Sequence, residues 1–304
     1  MKHFINHIKS SFRAGDFLTR LIYINAGAFA LVQLALLVCR FFNLPDYWVQ
    51  YLEMPAWLPS LARQPWSVLT YMILHTHFVH AIFNLIALYY FGRLFLSYYT
   101  QKQLVATYIW GGLAGALFYL LGVNFLPAYD AIKHLDYLVG ASASVMAILF
   151  AAVGCAPDNE INLTLIGRVK LKYIGLAFLA FDILSLGGIN SGGSLAHIGG
   201  AIMGYLYAYL YTRGTDLSRP INAVINTLVN AWPKQSPLKK GRIKVTTNNT
   251  RHMSDAEWNQ QHKQSEKARQ ERIDLLLDKI KKSGYQNLTE EEKKSLFDLS
   301  KPKS

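Results

Sequence analysis

Two short stretches carry side chains that could do nucleophilic chemistry together. In Val139-Gly140-Ala141-Ser142-Ala143-Ser144-Val145-Met146, a serine sits among small residues at the start of an apolar run reaching Ala156. Fifty-five residues later, Ala196-His197-Ile198-Gly199-Gly200 sets a histidine in equally crowded surroundings. A serine hydroxyl is a poor nucleophile until a base takes its proton, and a neutral imidazole is the usual base. Ser142 and His197 are therefore a candidate nucleophile–base pair. Ser144 is a rival by type, but two residues along a helix turn it about 200° away from Ser142. Its expected role is packing.

A third stretch, His75-Thr76-His77-Phe78-Val79-His80-Ala81-Ile82-Phe83-Asn84, puts His80 and Asn84 four residues apart, on one face of a helix. Polar side chains at membrane depth are costly unless they face a cavity or each other. Two stacked donors could bind an oxygen anion, or could glue two helices together. A metal site on His75, His77 and His80 is a third reading. Their i, i+2, i+5 spacing converges poorly, however, and no acidic ligand lies nearby, so no metal is expected.

With Ser142 at a helix N-terminus, its N–H is unpaired by the helix, and the positive end of the backbone dipole faces the site. That N–H, with His80 and Asn84, would form an oxyanion hole. For orienting His197, the available carboxylate within a span after Ser142 is Asp182. It is expected mid-membrane and deeper than the histidine, so a two-residue dyad is expected in place of a triad.

The elements that must position these groups are apolar. The chain is 52% hydrophobic and 16% charged, and its mean hydropathy of +0.16 hides a sharp division. Residues 1–213 carry 13 Lys/Arg and 8 Asp/Glu, whereas the ninety-one residues that follow carry 18 and 11. Six apolar runs, at 20–39, 77–98, 103–125, 138–156, 172–189 and 194–212, are long enough to cross roughly 30 Å of hydrocarbon at about 1.5 Å per residue. The fifth is the weakest, ending in Gly187-Gly188.

Basic residues near the spans set the orientation. Lys2, Lys9, Arg13, Arg20, Arg93, Lys102, Arg168, Lys170, Lys172 and Arg213 fall on one side; Arg40, Arg63 and Lys133 fall on the other. Both termini are therefore expected in the cytoplasm of a multi-pass cell-membrane protein. The first run lacks the features of a cleaved signal peptide. Spans two, four and six then run from outside to inside, with His80, Ser142 and His197 each three or four residues in, in one shallow outer layer.

Residues 40–76 are aromatic and punctuated by Pro45, Pro55, Pro59 and Pro65. They read as a segment in the headgroup layer, either merely docked or functional. Gly111-Gly112-Leu113-Ala114-Gly115 and Gly200-Ala201-Ile202-Met203-Gly204 allow helices to approach backbone to backbone. Cys39 and Cys155 lie at opposite ends of their spans, too far apart for a bridge.

Over about residues 17–213 the chain resembles the rhomboid family of intramembrane serine proteases. The resemblance rests on Gly140-x-Ser142, on Ala196-His197-x-x-Gly200-x-x-x-Gly204, on His75 followed by His80-x-x-x-Asn84, and on Trp66 nine residues before His75. It implies Ser142 as nucleophile, His197 as general base, and His80 and Asn84 as oxyanion ligands. Residues 40–65 would be the loop inserted in the outer leaflet, and Trp66, His75, Gly140, Met146, Gly200 and Gly204 would support the site. The chain departs from the family pattern at Ala143, where a glycine is usual, and at Ser67, where an arginine is usual. At Met146 an aromatic is usual, and Leu96-Ser97 lie where a glutamate is often found.

The expected fold is all-α: a polytopic, six-transmembrane-helix rhomboid-like bundle over 1–213. A basic flexible linker follows over 214–253, then a small cytoplasmic helical hairpin over 254–304. In that hairpin Ser254-Asp255-Ala256-Glu257 caps a helix to about Lys282, and Thr289-Glu290-Glu291-Glu292 caps a second. The expected partners are single-span membrane protein substrates and the lipid bilayer, with a protein partner or a second copy for the tail. No nucleic acid and no cofactor is expected. The rival readings are a catalytically inactive member that binds membrane clients and a small transporter.

Overall fold

The apolar helices of the first unit carry large apolar side chains on their exposed faces as well as in their core. Helix α1 (Phe17–Phe41) shows it plainly. Asp16 caps its start, accepting from the Thr19 N–H at 2.8 Å. Of its 25 residues, Leu18, Asn25 and Val32 are the buried ones, whereas Leu31 is 70% exposed. The buried Asn25 amide donates to Leu21 O and to the Tyr108 hydroxyl, which itself donates to Met72 O. The inward amide of this helix is thus paired, and its outward leucines are left for lipid.

The computed structural model describes residues 9–12, 14–163, 167–188, 190–231, 255–284, 288–289 and 291. After α1 come two short helices, α2 (Leu58–Arg63) and α3 (Ser67–Thr70), followed by α4 (Phe78–Phe95), α5 (Gln101–Phe125) and α6 (Ser142–Cys155). Helices α7 (Leu171–Leu184), α8 (Ser191–Thr212) and α9 (Ser218–Ala231) complete a first unit, Met1–Pro233. Helices α1, α4 and α5 are long and apolar enough to cross a membrane; α6 is apolar but shorter. The six apolar runs of the sequence correspond to α1, α4, α5, α6, α7 and α8.

The all-α expectation needs one correction. Strand β1 (Met54–Pro55) pairs antiparallel with β2 (Tyr137–Leu138), and β3 (Glu160–Leu163) pairs with β4 (Gly167–Lys170). The β1–β2 pair ties the aromatic segment to the strand that leads into α6, and the Ala56 N–H donates to Asp136 O beside it. Within the aromatic segment, the Trp66 indole donates to Tyr51 O at 2.8 Å and the Thr70 hydroxyl to Leu52 O at 2.7 Å. The segment is therefore folded upon itself. Burial against its neighbours pushes the Glu53 carboxyl up from its ordinary value, and Asp136 likewise.

Helix α6 is the core of the unit, with every residue from Ala143 to Val153 buried. Close approach is possible because α8 presents glycines to it. A methyl on Gly200 would run into the Ala143 carbonyl, and one on Gly204 into the Ala147 carbonyl. Helix α5 closes the other side, with Gly111 against Ala147 and Gly115 against Ala143. The end of α4 is tied to the start of α1 by Arg93 and Asp16, 2.9 Å apart.

Within the stretch expected to be a linker, Ser218–Ala231 is helical. Pro220 lies in its first turn, where its missing N–H costs nothing, and Ile221, Val224 and Ile225 recur at helical spacing. Asp216 fastens its start: the carboxylate accepts from the Ser218 N–H, the Tyr207 hydroxyl and the Gln103 amide at 2.8, 3.0 and 3.3 Å. The rest of the linker lies outside the described residues.

A second unit, Lys234–Ser304, contains helix α10 (Asp255–Ser283), ended by Gly284 at φ +82°. The cap at Ser254 and the second tail helix fall outside the described residues.

Candidate active site

Ser142 is the first residue of α6, and the backbone before it explains the local sequence. Gly140 has φ +122°, a conformation that favours glycine, and it turns the chain from β2 into the helix. Its N–H donates to Tyr71 O at 3.0 Å. The next N–H, of Ala141, points to Nε2 of the buried His75 at 3.4 Å. The His75 and His80 rings meet edge to face, with centroids 5.5 Å apart.

Ser142, His197 and His80 line one cavity of about 280 Å³, together with His77, Tyr137 and Asn190. The expectation that all three residues lie three or four positions into their helices is corrected. His80 is third in α4, Ser142 first in α6 and His197 seventh in α8. The helices start at different heights, and the three side chains still reach one space.

Asn84 is buried one turn beyond His80. Its amide donates to the His80 carbonyl at 3.0 Å, and it does not line the cavity. Ser144 is buried at 1% exposure, with its α-carbon towards Gly111 of α5. Met146 packs in an apolar cluster with Leu149, Phe150 and Ala201. Ala143 is helical and buried; its methyl fits because Gly115 faces it, while Gly200 lies against its backbone. Ser67 is fully buried, with no hydrogen-bond partner for its hydroxyl among the described residues.

Asp182 is the largest departure from expectation. The sequence placed it deeper than the histidine, with no acid to orient His197. In the structure, Asp182 Oδ1 lies 2.7 Å from His197 Nδ1. The reason is where the helices end. Helix α7 stops at Leu184, before the apolar run does, so Asp182 is two residues from its end. Helix α8 begins at Ser191, earlier than the apolar run suggested, which carries His197 further into the bundle.

Sequence reasoning also gave no part to Tyr137 or Asn190, which lie in a strand of two residues and at a helix cap with no periodic signal. His77 belongs to the histidine cluster of the sequence, where its spacing points to no more than a poorly converging metal ligand. Among the described residues, no group of three or more His, Cys, Asp or Glu side chains could hold a metal ion.

Apolar helices around a small polar cavity define an integral membrane protein. The model of the Rhomboid domain matches residues 62–214, about half of the sequence. The chain belongs to the rhomboid family. It is 32% identical over 179 residues to Rhomboid protease AarA of Providencia stuartii, covering 56% of this chain and 64% of that one. It is 28% identical over 145 residues to the mitochondrial RHOMBOID-like protein 12 of Arabidopsis thaliana, covering 44% of this chain and 43% of that one. The chain thus spans less than two thirds of the length of these relatives. Residues 255–302 match a family of unknown function, DUF6576.

Proposed function

We propose that the protein is an intramembrane serine endopeptidase that cleaves single-span membrane proteins near the outer surface of the cell membrane. The observation that carries this reading is that Ser142 and His197, from two different helices, open into the same cavity. In this reading α1, α4, α5, α6, α7 and α8 are six spans, with both termini in the cytoplasm. Residues 1–213 are the membrane domain, 214–253 connect it, and 254–304 form a cytoplasmic appendix that docks on a protein partner or a second copy.

Ser142 Oγ attacks the scissile carbonyl carbon while its proton passes to His197 Nε2, and the carbonyl electron pair moves onto oxygen. The Ser142 N–H and the His80 ring offer donors to that oxyanion. Asn84 has a second amide hydrogen to offer if its side chain turns from the His80 carbonyl. Collapse expels the amine, which takes the proton from His197 and leaves an acyl-serine. A water entering the cavity gives His197 a proton as its oxygen bonds to the ester carbon; collapse then breaks the bond to Oγ, the carboxylic acid leaves, and His197 returns the proton to Ser142 Oγ.

The test is labelling of membrane-embedded protein by a serine-reactive phosphonate, wild type beside Ser142→Ala. Labelling that requires Ser142 supports the reading. Equal labelling of both, or none of the wild type, overturns it.

A further inference from the structure

We propose that Asp182 is a positioning residue for His197, so that the site works as Asp182–His197–Ser142 and not as a serine–histidine pair alone. This rests on the reading of Ser142 and His197 as nucleophile and base.

The Asp182 side chain is 5% exposed and its Oδ1 lies 2.7 Å from His197 Nδ1. An acidic residue buried in an apolar bundle is costly unless paired, and His197 Nδ1 is the hydrogen-bond partner of this carboxylate among the described residues. The other polar groups that share the cavity with His197 are His77 just before α4, His80 within it, Ser142 from α6, Tyr137 from β2 and Asn190. None of them is an acid. Asp136 approaches α8 at Gly192, more than a turn before His197. Asp182 therefore supplies the one carboxylate at this ring among the described residues.

A carboxylate accepts hydrogen bonds and does not donate them. Nδ1 must then carry the ring hydrogen, which leaves the lone pair on Nε2, on the far side of the imidazole. That is the tautomer a serine needs in its base. When Nε2 takes the Ser142 proton, the ring becomes a cation beside Asp182, which keeps accepting from Nδ1–H and takes no proton itself. The same contact fixes the ring plane, because α7 holds one end and α8 the other.

The experiment compares wild type, Asp182→Asn and Asp182→Glu as full chains in the same membrane mimetic. Three readouts are needed: phosphonate labelling rate, kcat and KM on a membrane-anchored reporter, and the ¹⁵N NMR signals of His197. Asp182→Asn keeps the shape but offers an N–H to Nδ1, which favours the wrong tautomer. Its kcat is expected to fall by about 10²–10⁴-fold with KM little changed. Labelling should slow in parallel, and the ring hydrogen should move to Nε2 in the spectrum. Asp182→Glu should recover part of both rate and tautomer. If Asp182 only ties α7 to α8, both variants lose thermal stability while labelling per folded molecule and the His197 tautomer stay as in wild type; that result overturns the proposal. Wild-type protein that takes no label overturns the protease reading and this role with it. Wild-type protein that labels at Ser142, beside an equally fast Asp182→Asn, overturns this role alone.

Discussion

The His80 imidazole lies in the space that a side chain on Gly140 would fill, with Cε1 2.6 Å from the position of the absent Cβ. One glycine therefore does two jobs: it takes up φ +122° in front of Ser142 and leaves room for the ring that faces the cavity. Gly140→Ala must displace His80 and also strain the backbone, which costs of order 1–3 kcal/mol by itself. Reporter cleavage should be lost and the unfolding temperature lowered. Wild-type cleavage by Gly140→Ala would show that neither the conformation nor the clearance matters.

The two neighbouring serines should separate cleanly. Ser142→Ala removes the group that opens into the cavity, and it should abolish phosphonate labelling without changing thermal stability much. Ser144→Ala acts in a buried position and should leave labelling largely intact. If Ser144→Ala were the silent one on the gel and Ser142→Ala labelled normally, the nucleophile has been assigned to the wrong residue.

His80 and Asn84 should behave unequally because the cavity treats them unequally. Losing an oxyanion donor typically costs about 10²–10³-fold in rate, and His80→Ala should show a loss in that range. Asn84→Ala should cost less in kcat if its amide stays on the His80 carbonyl. A loss for Asn84→Ala as large as that for His80→Ala would mean the amide turns towards the substrate during turnover. The kcat of each variant on the same reporter decides it.

Gly200→Val should push α8 away from α6. The added side chain would meet the Ala143 backbone carbonyl, which cannot move as a flexible side chain does. Overpacking of this kind commonly costs about 1–3 kcal/mol, and here it also carries His197 away from Ser142. A lower unfolding temperature in detergent together with loss of labelling is expected. A stable, fully labelled Gly200→Val protein would refute the close crossing.

Asp216 gives a pH signature away from the cavity. Burial raises its pKa, but hydrogen bonds from Ser218, Tyr207 and Gln103 outweigh it and hold the carboxyl below its ordinary value of 3.8. The unfolded chain therefore binds the proton more readily than the folded one. The stabilisation is fully present above that ordinary value and is lost as pH falls through the lower folded value. Asp216→Asn should flatten this acid limb of the stability profile. Unfolding curves between pH 2 and pH 5 would check it, and parallel limbs for the two proteins would exclude the carboxylate as the cause.

Much of this was legible from residue types. Ser142 and His197 stood out because each sits in a run of small residues, and those residues are what let α6 and α8 cross closely at Ala143 and Gly200. Apolar runs located the helices to within a few residues. What could not be read was set by helix ends and by pairings without periodicity. Asp182 reaches His197 because α7 stops at Leu184 and α8 starts at Ser191, limits that hydropathy blurs. The Met54–Leu138 pairing joins two strands of two residues each, far apart in the chain. No alternation is long enough to announce them.

Helix α6 is 14 residues long, about 21 Å at 1.5 Å per residue, against roughly 30 Å of hydrocarbon. A lipid-facing helix that short would make the bilayer thin around it. Here the neighbours sheathe it on nearly every side, so acyl chains never meet the shortfall. The missing height falls at the Ser142 end, where a short strand and a cavity stand in place of helix, so the hollow comes from nothing more than a central pillar cut short.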